Sequence, residues 1–103
     1  MLPLIAEQRS KIDALCRRFG VRRLTVFGSA VRGDFDPTRS DLDFLVEFDR
    51  TDPVALSLRT FFAFKDSLEA LFGRSVDLVE PSALRNPYVK ASIERSREAL
   101  FEA

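Results

Sequence analysis

Two aspartates, Asp41 and Asp43, stand two positions apart in the run Ser40-Asp41-Leu42-Asp43-Phe44-Leu45-Val46. An extended chain alternates its side chains. That spacing therefore puts both carboxylates on one face and Leu42, Phe44, Val46 and Phe48 on the other. Neighbouring carboxylates repel, so one of them keeps a proton or a divalent cation settles between them. Mg²⁺ suits such a pair, because it takes few carboxylates and completes its shell with substrate phosphate oxygens. A solvated turn at a strand edge would carry the same Asp-x-Asp. Asp77 bears on the choice: it lies between Val76 and Leu78, where a carboxylate is costly unless paired or ligating. Beside the Asp41–Asp43 strand it completes a three-carboxylate cluster; facing outward on a half-exposed strand it does not.

Upstream, Gly28-Ser29 directly follows the apolar run Leu24-Thr25-Val26-Phe27. Glycine lets backbone approach a ligand closely, and the freed N–H groups with the serine hydroxyl can hold phosphate oxygens. Arg32 and Arg39 supply planar donors for further phosphate charge. A lone Gly-Ser is usually only a turn. Joined to an acidic pair on the next strand, it makes the second half of a metal-dependent phosphoryl-transfer site. The chain contains no histidine, which excludes His-based general bases, catalytic triads and His-ligated zinc.

The elements that must position these residues are legible in outline. Apolar Ile5, Ile12, Leu15, Cys16 and Phe19 recur at helical steps, which predicts a helix from Pro3 to the stop at Gly20. Strands are expected over 24–27, 42–48 and 76–79, with one helical turn at 30–32 and a loop over 34–40. Long helices are expected over 55–72, stopped by Gly73, and over 87–101, capped by Asn86 with Pro87 at its first position. In the first of these, Leu58, Phe61, Phe62, Leu68, Leu71 and Phe72 form a stripe, and Phe64 falls beside it. Phe64 is therefore either core or a surface for a partner, which would allow a homo- or hetero-oligomer. Tyr88, the sole tyrosine, is expected to pack at the start of the last helix. The alternation implies a single α/β domain over 1–103, a small mixed β-sheet flanked by helices, with a fourth strand open near the termini.

Composition narrows the setting. The 103 residues carry 16 basic and 16 acidic side chains, yet residues 1–33 are net positive and residues 34–80 net negative. A basic front suits phosphate and an acidic middle suits a metal ion, although solvated helix faces would read the same. No apolar stretch approaches the ~18 residues of a membrane span. Glu7, Arg9 and Lys11 interrupt any signal-peptide core. One cysteine, Cys16, makes no internal disulfide and fits a reducing cytoplasm. The basic segment lacks a recognisable reading helix, so direct nucleic-acid binding is not expected.

The run from Gly28 to Phe48, GSAVRGDFDPTRSDLDFLVEF, resembles the nucleotidyltransferase family of the DNA polymerase β type, and within it the minimal antitoxin members paired with HEPN-domain toxins. Gly-Ser, an eleven-residue spacer and Asp-x-Asp carry the likeness, with Arg32-Gly33 and Ser40 also matching. The resemblance implies a polymerase β-like palm in which Gly28 and Ser29 bind nucleotide phosphates and Asp41 and Asp43 bind Mg²⁺. Asp77 corresponds more loosely to the third family carboxylate. It further implies transfer of AMP from ATP to a tyrosine hydroxyl of a HEPN RNase toxin. A toxin-binding antitoxin without catalysis, and a nucleotidyltransferase acting on a small molecule, are the alternatives.

Overall fold

The computed structural model describes residues 2–32, 36, 41–51, 57–81, 84 and 86–103. Two short helices, α1 (Pro3–Ala6) and α2 (Arg9–Arg18), precede β1 (Val21–Phe27) and the helical turn α3 (Ser29–Arg32). Then come β2 (Leu42–Phe48), α4 (Leu58–Phe72), β3 (Val76–Val79), α5 (Pro87–Arg95) and β4 (Arg97–Glu102). The described strands form one sheet in the order β3-β2-β1-β4, with β2 parallel to β3 and β1 antiparallel to both its neighbours. This is the small mixed sheet with helices that the alternation implies.

The single N-terminal helix expected over 3–19 is instead two, parted at Glu7-Gln8, while the seven-residue step from Ile5 to Ile12 still buries both. The larger difference lies at the other end. The helix expected over 87–101 stops at Arg95, and residues 97–102 pair with β1 as the fourth strand. Val89, Ile93 and Leu100 fit a helical period, and Glu98, Ala99 and Leu100 favour helix on their own. Ladder bonds to the central strand override that preference, as β-structure commonly depends on its neighbours.

Other boundaries follow their local chemistry. The Ser57 hydroxyl accepts from the Thr60 N–H at 3.1 Å to open α4, and Gly73 closes it in the left-handed conformation, donating to the Glu69 carbonyl at 2.8 Å. Residues 55 and 56, included in the expected helix, lie outside the described residues. Asn86 caps α5 through the Tyr88 N–H at 2.9 Å, but Tyr88 itself is 84% exposed and packs on nothing substantial.

The buried line of α4 is Thr60, Phe64, Leu68 and Phe72, one residue per turn. Phe64 is 0% exposed and meets Phe19 at 5.7 Å and Phe48 at 6.1 Å, both edge-on; Phe72 stacks on Phe44 at 5.9 Å. Phe64 is therefore core and presents no surface to a partner. Leu58 and Phe62, assigned to the stripe by their spacing, are 71% and 51% exposed. A four-residue step follows the helix axis more closely than the wider stripe does. Cys16 is buried in the same core, and burial pushes its thiol up to about 12, with Asp13 adding to the shift.

Both helical crossovers, β2–α4–β3 and β3–α5–β4, join parallel strands but run in opposite directions across the sheet. The right-handed rule puts their helices on opposite faces. Ile93 of α5 and Leu45 of β2 are buried yet stand apart from the main core cluster, as a second covered face requires.

Phe64→Ala should cost about 3–5 kcal/mol in urea unfolding, whereas Phe62→Ala should stay within ~0.5 kcal/mol of the parent. Equal losses would refute the assignment of the buried line.

Candidate active site

Antiparallel pairing of β1 with β2 sets Phe27 opposite Asp43, and parallel pairing of β2 with β3 sets Asp43 beside Asp77. Directly paired residues share a face, so the two carboxylates project side by side at one end of the sheet. Asp41 stands just before β2 and is exposed, as is Asp77; Asp43 is half-buried. Among the described residues, no three carboxylate or thiol groups are drawn together tightly enough to form a complete metal-ligand set. The register sets Asp77 next to Asp43.

Gly28 is the residue on which β1 turns away from the sheet. Its φ is +75°, a conformation that side chains resist, and a Cβ built there would collide with the Asp43 carboxylate oxygen Oδ2 and lie 3.3 Å from its Cγ. Gly28 is itself buried, and its carbonyl accepts from the Val31 N–H at 3.0 Å to start α3. Thus the glycine both permits the turn and leaves room for the carboxylate. Backbone at Ser29 and Arg32 lies on α3. The side chains of Ser29 and Arg32, and all of Arg39, lie outside the described residues.

The start of β3 is pinned from α4. The Val76 N–H donates to the Glu69 carboxylate at 3.0 Å, and Leu42 N–H reaches the Ser75 carbonyl at 3.4 Å. Both contacts fix the register that sets Asp77 next to Asp43. On the other side of β1, Phe27 pairs with Arg97, so one row across the sheet reads Asp77, Asp43, Phe27, Arg97. Two rows away, Arg23 meets Glu47 and Glu102 at 3.5 Å each, an independent sign that paired residues share this face. Arg97 escaped the sequence reading because residues 97–101 look helical.

A family model for the nucleotidyltransferase domain matches residues 9–100. The chain belongs to the nucleotidyltransferase family. Protein adenylyltransferase MntA of Thermococcus cleftensis is 45% identical over 87 residues, which cover 84% of this chain and 80% of that protein. A solved structure described as a minimal nucleotidyltransferase superposes with a TM-score of 0.74 at 32% identity, covering 94% of this chain and 95% of its own. A chain from the complex of tri-AMPylated Shewanella oneidensis HEPN toxin with MNT antitoxin shares the fold, with a TM-score of 0.65 at 18% identity. That likeness covers 95% of this chain and 72% of the other. In this nucleotidyltransferase, Gly28 and Asp43 meet at one end of the sheet.

Gly28 and Gly73 separate backbone strain from steric conflict. Gly73 is also left-handed, at φ +64°, but nothing lies within 4 Å of a Cβ there. Gly73→Ala should lose about 1–2 kcal/mol, the cost of the conformation alone. Gly28→Ala should lose ~3 kcal/mol or more, because overpacking adds to it, and should also weaken nucleotide binding. Urea unfolding beside ATP titration checks both; equal losses at the two glycines would contradict the close approach of Asp43.

Proposed function

We propose that this nucleotidyltransferase is a catalytic antitoxin: a protein adenylyltransferase that moves AMP from ATP to a tyrosine hydroxyl of a HEPN-domain toxin. The observation that carries the reading is the Asp43 carboxylate set against Gly28, with Asp77 beside it in register. Support comes from the likeness to MntA and, for the partner, from the antitoxin bound to an AMPylated HEPN toxin. A cytoplasmic setting suits this role, and the described residues contain no helix long and apolar enough to cross a membrane.

The donor set suits Mg²⁺ by its chemistry: hard carboxylate oxygens, with no thiolate or imidazole among them. Asp41 and Asp43 would hold one ion and, with Asp77, share a second. When bound, Mg²⁺ neutralises phosphate charge and lowers the pKa of the attacking hydroxyl. The remaining work falls to the chain. Gly28, having no side chain, lets the phosphate tail come close to backbone, where the following N–H groups and the Ser29 hydroxyl bind it. Arg32 and Arg39 offset further negative charge. Asp77 accepts the tyrosine proton as the tyrosine oxygen bonds to the α-phosphorus. The bond from that phosphorus to the bridging oxygen breaks, and pyrophosphate leaves with the electron pair.

Incubating the HEPN partner with this protein, ATP and Mg²⁺ should add the mass of one AMP per modified tyrosine. Asp41→Asn and Asp43→Asn should each slow this roughly 10³-fold, as several kcal/mol of charge stabilisation is lost, with an unchanged circular dichroism spectrum. Chelation of the metal should do the same. Full neutralisation of the toxin by Asp43→Asn, with no mass gain, would instead establish an antitoxin that works by binding.

A further inference from the structure

We infer that Arg97 is a substrate-binding residue of this site, holding the β- and γ-phosphates of the nucleotide and then the departing pyrophosphate. This rests on the functional reading above. Arg97 opens β4 and is paired with Phe27, which is paired in turn with Asp43. Its side chain therefore projects from the same face, in the same row, as Asp43 and Asp77. It is exposed, and no ion pair engages it among the described residues.

The order along the row gives the assignment its direction. Asp77 and Asp43 occupy β3 and β2, Phe27 occupies β1, and Arg97 occupies β4. Two strand spacings, ~10 Å, separate the Arg97 backbone from that of Asp43. Phe27, a half-buried apolar side chain, stands between them. The guanidinium is thus held off from neutralising the carboxylates directly. Gly28 follows Phe27, so the turn where phosphate would approach lies between the acidic and the basic ends of the row. A metal-bound polyphosphate has the complementary polarity, with cation at one end and excess negative charge at the other. The acidic end lies toward β3, where Asp77 serves the incoming hydroxyl. The basic end lies toward β4 and so receives the phosphate tail. Arg suits this task because its planar fork can donate two hydrogen bonds to one phosphate.

The test is calorimetric titration of the intact protein in Mg²⁺ with ATP, AMP and inorganic pyrophosphate. Arg97→Gln should weaken ATP and pyrophosphate about tenfold and leave AMP unchanged; charge-assisted hydrogen bonds at an exposed site set that scale. Arg97→Lys should recover part of the loss. Equal weakening of all three ligands would mean damage to β4 and would overturn the assignment, as would unchanged binding of ATP and pyrophosphate. Asp43→Asn, run alongside, separates the two levels. If it weakens ATP binding while Arg97→Gln does not, only the role of Arg97 fails. If it leaves ATP binding intact, the location of the site fails.

Discussion

The close approach of the Asp43 carboxylate to the backbone at Gly28 ties the turn after β1 to the register of the sheet. It exists because β1 and β2 pair with Phe27 opposite Asp43, so the residue after Phe27 turns directly over the carboxylate. Only glycine meets both demands there, the positive φ and the absent side chain. Moving the register by one residue would carry Asp43 to the face that packs on α4 and would expose Phe44. Core packing and site geometry are therefore one requirement. Phe44 stacked on Phe72, with Phe48 against Phe64, holds β2 in the register that places Asp43.

Irregularities in the ladders let a small sheet serve two faces. The shift between Val21 and Arg23 allows Arg22 and Arg23 to be exposed in succession, while Leu24 returns to the core. A second shift, opposite Leu24 and Thr25, buries Leu100 and Phe101 consecutively. The far end of the sheet is a different environment, a cleft lined by Cys16, Arg17, Val21, Arg22 and Asp49. There the Thr51 hydroxyl and N–H both donate to Asp49, and chiefly the hydroxyl bond holds that carboxyl below its usual range. Those bonds close the turn after β2.

Much of the site was readable from residue types because its signals are local. Gly28 before a helical turn, and aspartates alternating with apolar residues over 41–48, each declare their own geometry. The third strand, Val76–Val79, was equally plain, being short, apolar and bounded by Gly73 and Pro81. What escaped depended on distant partners. Residues 97–102 have no β-branched side chain and become a strand only because β1 offers an open edge. With that strand hidden, Arg97 could not be connected to Asp43, 54 positions earlier in the chain. Phe64 stayed open between core and partner surface for the converse reason. Several phenylalanines on α4 satisfy a helical period, and only the positions of Phe19 and Phe48 decide which of them is enclosed.

We propose that the nucleotide binds at the Gly28–Asp43 end of the sheet. Backbone amide NMR during titration with ATP and Mg²⁺ tests it most directly, and an 11.7 kDa chain is well suited to it. The largest shift changes should fall at Gly28, Ser29, Ala30, Asp43, Asp77 and Arg97, with little change at Arg17, Arg22 or Asp49. Changes concentrated on the latter group, at the opposite end of β1, would contradict the account.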